Sequence, residues 1–234
     1  VTGVQTCALP IYYKNSATHN TLSVNQTNQP PANPQVSGWH MDSDALWLDS
    51  EVDWGKPPPE LDSHSRVEWD ATAWRDVRFR RRLLWLEEVL IDLSTVENPH
   101  RQQLDWTLHL AAQALDQSGT PQPFSLSGPL RHMANATMAP LNGCQPRHFA
   151  RDGDTVALWL SGDGELWQGV APDNPATHDL SYLVIRSHLP QARFVCLWDF
   201  ANSAPLTEVQ VNHTPVGTQI TFWRGERVTH VTLY

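Results

Sequence analysis

The feature that most constrains this chain is a two-residue rhythm that recurs from end to end and is cut into short pieces by turn signals. Leu104, Trp106, Leu108 and Leu110 alternate with Asp105, Thr107 and His109. An extended strand therefore carries four large apolar groups on one face and polar groups on the other. Val156, Leu158 and Leu160 repeat the pattern, as do Thr21 to Val24, Tyr182 to Ser187, Arg193 to Trp198, and Ile220 to Trp223 running on into Val228 to Leu233. Val77, Phe79 and Arg81 alternate before the run Leu83-Leu84-Trp85-Leu86. Glu87-Glu88 and then Val89-Leu90-Ile91 follow, the pattern of a hairpin with a tight polar turn or a bulge. Hairpins are also expected around Gly162-Asp163-Gly164, Leu189-Pro190-Gln191 and Arg224-Gly225-Glu226. A further strand is expected over Arg66 to Trp74, with Val67 and Trp69 on one face, and polar loops over Asn25 to Ser37 and Pro57-Pro58-Pro59. No stretch holds a helical period, a heptad or an internal repeat. Short strands with one apolar face each are satisfied by stacking two sheets. The predicted fold is all-β, an antiparallel two-sheet β-sandwich.

Charge and composition exclude several classes. Lys plus Arg is 16 against 25 for Asp plus Glu, a formal net charge of −9, so the chain is not a general nucleic-acid binder. No apolar run reaches the roughly 20 residues of a helical membrane span. The 11 Trp are the compositional outlier. Indole faces pack on sugar rings, but Trp106 lies on an apolar stripe and Trp69 on the expected strand, so core is the reading for most of them. Residues 1–11, VTGVQTCALPI, resemble a translated sequencing adapter and are set aside as non-native. The fold reading therefore covers 12–234 as one N-terminally truncated domain. With Cys7 in the set-aside part, Cys144 and Cys196 remain, as one disulfide or as two buried thiols; neither belongs to a C-x-x-C.

Taken residue by residue, the chemistry is sparse. There is no G-x-S-x-G, P-loop or H-E-x-x-H, and the 11 His are scattered with no H-x-H pair. Glu87-Glu88, Asp42/Asp44 and Asp152/Asp154 are the paired acids. Neighbours on a strand point to opposite faces, and Asp-Gly-Asp is turn chemistry, so none reads as a catalytic pair. Arg78-Phe79-Arg80-Arg81-Arg82 is the basic run, a solvated strand face that is also able to attract an acidic glycan. His109 shares the polar face of its strand with Asp105 and is expected to pair with it.

The segment Tyr12 to Val24 reads Tyr-Tyr-Lys-Asn-Ser-Ala-Thr-His-Asn-Thr-Leu-Ser-Val. It resembles a motif of the heparinase II/III-type polysaccharide lyases, in which a tyrosine-bearing strand leads through small residues into His-Asn-Thr. Arg80 to Leu93, Leu104 to His109 (an Asp-Trp-x-x-His-like strand) and Ser181 to Asp199 resemble later strands of that family in the same order. The resemblance implies the C-terminal sandwich of a lyase whose N-terminal α/α toroid and first sandwich strands precede Tyr12. It implies β-elimination on an acidic, uronic-acid-containing polysaccharide such as alginate or a glycosaminoglycan. The catalytic base and acid would lie in the toroid, none of them in this chain, and the fragment alone would be inactive. It implies that His19 is a zinc ligand in the intact protein, the other ligands lying upstream, so that this fragment does not hold zinc tightly. Tyr13 would line the substrate cleft. Secretion or a periplasmic location follows from the same resemblance, as does an uncovered face toward the toroid that favours aggregation. A carbohydrate-binding or purely structural sandwich is the competing reading.

Overall fold

The structure, a computed structural model, describes residues 14–43, 45–56, 69–116, 119–121, 128–173, 178–201 and 204–234. Residues 1–11, set aside as adapter-like, lie outside this set. Among the described residues the strands, in chain order, are β1 (Leu22–Val24), β2 (Gln35–Met41), β3 (Ala45–Asp53), β4 (Arg78–Leu86), β5 (Val89–Glu97), β6 (Leu104–Leu110), β7 (Gln113–Ala114), β8 (Thr120–Pro121), β9 (Ala134–Leu141), β10 (Gln145–Arg151), β11 (Asp154–Gly162), β12 (Gly164–Pro172), β13 (Asp179–Ser187), β14 (Gln191–Asp199), β15 (Glu208–Thr214), β16 (Gly217–Arg224) and β17 (Arg227–Leu233). A six-stranded sheet runs β1-β6-β13-β12-β9-β8, and an eight-stranded sheet runs β2-β3-β4-β5-β14-β11-β10-β7. Their pairings are antiparallel.

The alternating stripes meet where these two sheets face each other. Leu104, Trp106, Leu108, Leu166, Leu183 and Ile185 of the smaller sheet pack on Phe79, Val96, Phe149, Leu158, Leu160 and Phe194 of the larger. This is the predicted sandwich. A third layer is added to it: β15-β16-β17 covers the outer face of the eight-stranded sheet, with Val209, Ile220, Phe222 and Leu233 against Ile91, Leu93, Val195 and Leu197. In the runs Leu83–Leu86 and Val89–Ile91, Leu84, Leu86, Val89 and Ile91 pack under the third layer, whereas Trp85 on the other face stays exposed. Cys196 lies in the inter-sheet core and Cys144 against the outer cluster, and both are free thiols.

Two expected hairpins are instead crossovers between layers. β11 and β12, joined at Gly162-Asp163-Gly164, lie in different sheets, as do β13 and β14 on either side of Leu189-Pro190. Alternation marks a strand but not its partner, and here tertiary contacts decide. The buried Asn98 Nδ2 donates to Leu189 O (3.1 Å), and its backbone N–H donates to Pro190 O (2.7 Å), so the link is bound to the end of β5. The expected strand over Arg66 to Trp74 is also corrected. Residues 61–68 lie outside the described set. Trp69 makes only an isolated bridge to Asn28 and is 38% exposed, and residues 71–76 form turns. The polar loop expected over Asn25 to Ser37 gives way at Gln35 to the edge strand β2.

The hairpins at Arg224-Gly225-Glu226 and Glu87-Glu88 form as expected. In the second, Glu87 and Glu88 both take positive φ, 52° and 61°, the backbone of a two-residue turn that favours Asn-Gly. Glu87 is held there by Arg227 Nη2 (2.6 Å) and Thr229 Oγ1 (2.9 Å), whereas the Glu88 side chain is exposed. Glu88→Gly is therefore expected to stabilise the fold by about 1 kcal/mol, from relief of the left-handed strain. That is a rise of roughly 2–4 °C in thermal midpoint. A fall in midpoint would show that the side chain contributes more than its backbone costs.

Candidate functional site at the edge of the six-stranded sheet

Segment 15–21 precedes β1 and lies against Thr107 to His109 of β6, beyond the residues that β1 pairs with. A single 3-10 turn at Ser16–Thr18 buries Ala17 against Leu130, Met133 and Tyr182 on the outer face of the six-stranded sheet. The Tyr182 hydroxyl donates to Ala17 O. Asn28 Oδ1 accepts the Ser16 N–H (3.0 Å), and Ser16 Oγ accepts that of Gln29 (2.8 Å). Gln29 Nε2 in turn donates to Thr21 Oγ1 (2.9 Å) and Leu22 O (2.8 Å).

These contacts fix the backbone of the His-Asn-Thr step. Thr107 Oγ1 donates to His19 O (2.6 Å), the His109 N–H to Asn20 Oδ1 (2.7 Å), and Arg81 Nη1 to Asn20 O (2.7 Å). The His19 imidazole itself is exposed, on a backbone held at its own carbonyl and at its neighbour's.

His109 lies beside it and was legible in the sequence only as a polar-face residue. The expected pairing with Asp105 is not made. Four residues along a strand is about 13 Å, and Asp105 instead takes Arg186 Nε (2.7 Å) and Gln103 Nε2 (2.8 Å). The His109 ring stacks on Tyr182 with centroids 4.0 Å apart. Both of its ring nitrogens are buried without a hydrogen-bond partner among the described residues. Burial pushes its pKa down to about 4, and the charge of neighbouring His19 acts in the same direction. Two imidazoles thus stand together at this edge, His19 exposed and His109 half-buried with both ring nitrogens shielded from solvent. Among the described residues no group of three or more His, Cys, Asp or Glu is placed to hold a metal ion. Tyr13, expected to line a cleft here, lies outside the described residues.

Arg81 ties this edge to the larger sheet. Its guanidinium forks onto the buried Asp92, Nε at 3.0 Å from Oδ1 and Nη2 at 2.5 Å from Oδ2. Burial pushes the Asp92 carboxyl up, and the Arg81 hydrogen bonds and charge oppose the shift. On the same face of β4 as Arg81 stand Leu83 and Trp85. Register places Leu48 and Trp39 beside Leu83, and Leu46 and Met41 beside Trp85. The eight-stranded sheet here extends beyond β1, leaving Trp39 and Met41 each 69% exposed and Leu46 45%. Phe200 joins the strip, its ring centroid 5.5 Å from that of Trp85. Trp39, Met41, Leu46, Trp85 and Phe200 thus form an exposed apolar strip on this face. The β4 part of it was visible in the sequence as the run Leu83–Leu86, but the β2 part was not, because β2 shows no alternation and follows a Pro-rich stretch. Of the 11 indoles expected mostly in the core, Trp74, Trp106 and Trp159 are buried, Trp39, Trp69 and Trp85 are exposed, and the other five are partly buried.

The remaining candidates are accounted for locally. Arg80 and Arg82 converge on Asp49, and Arg78 lies between Asp53 and Glu97. Burial alone would raise Asp49, but hydrogen bonds and charge from the two arginines outweigh it and hold the carboxyl below its ordinary value. Glu87 and Asp152 sit in turns at positive φ, and Asp42 Oδ1 accepts the Ala45 N–H. None of the paired acids with described side chains forms a two-carboxylate site.

No protein-family model matches the chain, and no curated protein matches it. Solved structures do. The chain superposes on a heparan sulfate lyase, HepC, from Pedobacter heparinus with a TM-score of 0.58 at 10% identity, covering 96% of this chain and 31% of that one. A mutant of that lyase gives 0.58 at 10% identity, with 100% and 33% covered. A heparinase III gene product gives 0.55 at 9% identity, with 95% and 31% covered. The chain thus spans about a third of the length of these proteins and has the fold of that third.

Proposed function

We propose that this chain is the sandwich portion of a polysaccharide lyase that cleaves a uronic-acid-containing polymer, glycosaminoglycan-like or alginate, by β-elimination. The observation that carries the reading is the fold it shares with heparan sulfate lyases over nearly its whole length. The His-Asn-Thr step, held at an open sheet edge beside an apolar strip, supports it. That edge and the strip of Trp39, Met41, Leu46 and Trp85 would complete a cleft against a helical toroid domain of the same protein. The chemistry needs a base for the C5 proton, neutralisation of the neighbouring carboxylate, and an acid for the departing O4. The base and acid would come from the toroid, and His19 and Asn20 would shape the wall opposite. No helix among the described residues is long and apolar enough to cross a membrane. A periplasmic or secreted location goes with a polymeric substrate.

Zinc belongs to the same reading. Zinc takes three or four ligands in a structural site and would hold the cleft wall in shape. The donor chemistry at the edge fits in part: His19 is exposed and His109 has two orphaned ring nitrogens. The remaining ligands would lie outside this chain. The chain by itself is therefore expected to bind zinc weakly and substoichiometrically in equilibrium dialysis, and His19→Ala is expected to remove that residual binding. A tight one-to-one zinc on 12–234 would contradict the assignment.

The function is tested by incubating the protein that contains both sandwich and toroid with heparan sulfate and with alginate. The ultraviolet absorbance of the unsaturated uronate is then followed. Product from either polymer is expected. Binding without product would favour a non-catalytic carbohydrate-binding sandwich, the reading to which exposed Trp39, Trp85 and Phe200 give some weight.

A further inference from the structure

The basic run of β4 divides between two faces. Arg81 turns toward the His19 edge, whereas Arg80 and Arg82 lie on the opposite face, under the three-stranded sheet. Register sets Arg80 opposite Thr95 and Thr95 opposite Arg193, so the three form a row across β4, β5 and β14. The β15–β16 turn and the end of β17 stand over this row and enclose a cleft of about 190 Å³, lined by Arg80, Arg82, Arg193, Val216, Thr218 and Tyr234 among others. Three guanidinium groups line it, with no Asp or Glu side chain among the lining residues.

Arg80 and Arg82 are answered by acidic side chains, and Arg193 is not. Asp49 takes Nε and Nη2 of Arg80 and Nη2 of Arg82, and Glu51 also acts on Arg80. Arg82 Nη1 donates to Tyr234 O (2.8 Å), and its buried Nε has no partner among the described residues. Arg193 meets only backbone: Nη1 donates to Thr214 O (2.9 Å) and, at 3.5 Å, to Gly217 O. Among the described residues it has no carboxylate in ion-pair range, although it is half-buried. A partly desolvated guanidinium with Nε and Nη2 unmatched is a fork suited to an oxyanion. In a chain of net charge −9 this is a local reversal of sign. The rim adds apolar surface, with Val216 71% and Tyr234 75% exposed, as the C–H face of a sugar ring requires.

We propose that this cleft is a second binding site, on the opposite face of the large sheet from His19, for a sulfate or carboxylate group carried on a sugar. Naming a sugar as the carrier rests on the acidic-polysaccharide reading; the oxyanion recognition does not. The site would hold a strand of polymer against the protein away from the cleft of the reaction.

The test is calorimetric titration of the full chain at fixed ionic strength with two probes, sodium sulfate and a heparin-derived tetrasaccharide. The tetrasaccharide is expected to bind more tightly than sulfate. Arg193→Gln is expected to weaken both by roughly 10-fold, the loss of one charge-assisted pair, and Arg151→Gln, which removes an exposed cation at the β10–β11 turn outside this cleft, to leave both unchanged. Val216→Asp places a negative charge on the exposed rim without touching the arginines, and is expected to weaken both probes even if Arg193→Gln fails to fold. The proposal is overturned if neither substitution moves the affinities, or if the tetrasaccharide binds no better than free sulfate. Failure of the lyase reading is read separately, as absence of unsaturated product, which none of these titrations measures.

Discussion

Gly164→Ala is expected to abolish folding or to cost more than about 4 kcal/mol, the range reserved for backbone collisions and lost cores. Gly164 opens β12, just after the chain leaves the eight-stranded sheet for the six-stranded one. Its φ is +151°, and a Cβ there would stand 1.8 Å from Arg186 O and 2.8 Å from the carbonyl carbon. Those atoms are main chain of β13, the partner of β12, so no side chain can swing aside. Either β12 loses its register with β13 or the crossover moves, and Leu166 leaves the core with it. The comparison is Gly225→Ala in the β16–β17 turn, where φ is +61° and nothing lies within 4 Å of the added carbon. That change is expected to cost only about 1–2 kcal/mol of left-handed strain. Urea denaturation of both variants checks this, and equal losses would show that the crossover is not the constraint inferred here.

Trp106→Ala is expected to cost about 3–5 kcal/mol, as for large aromatics removed from a closed core. Trp106 is 1% exposed at the centre of the inter-sheet core. Its ring lies nearly parallel to that of Phe194 in the facing sheet, with centroids 5.9 Å apart and planes at 5°. Its indole N–H donates to the buried Ser94 Oγ (3.1 Å). Alanine would open a cavity between the two sheets and leave that hydroxyl without its donor. At roughly 2–4 °C per kcal/mol for a chain of this size, the thermal midpoint should fall by about 10 °C. Trp106→Phe, which keeps most of the volume and loses the hydrogen bond, should cost much less, about 1–2 kcal/mol. A similar fall for both variants would mean that the hydrogen bond, not packing, carries the effect.

The layered fold was readable because burial between two sheets imposes a period of two, and the stripes of β6, β11, β13 and β14 keep it. What the rhythm does not encode is which strand pairs with which. Gly162-Asp163-Gly164 has hairpin composition, yet serves as a crossover because the approach of β12 to β13 decides its path. The third layer was hidden for a related reason: β15–β17 alternates like any strand and does not announce which surface it covers. At the site, His19 was legible only through the resemblance carried by His-Asn-Thr. Its neighbour His109 was misread as a partner of Asp105, since strand alternation gives the face but not the distance along it. The strip of Trp39 and Met41 left no signal because a strand exposed on most of its length has no inside to alternate with.

The central claim is that this sandwich and its His19 edge complete the cleft of a lyase against a preceding helical domain. The most direct measurement is the coding DNA upstream of Tyr12, read from the source sample. The account predicts a helical toroid, then a strand resembling Ser-His-Gly-His and a strand bearing an Asp, in frame with Tyr12. A glycosidase domain, a flexible linker or a start codon close to Tyr12 would contradict it and leave a sugar-binding or structural sandwich in its place.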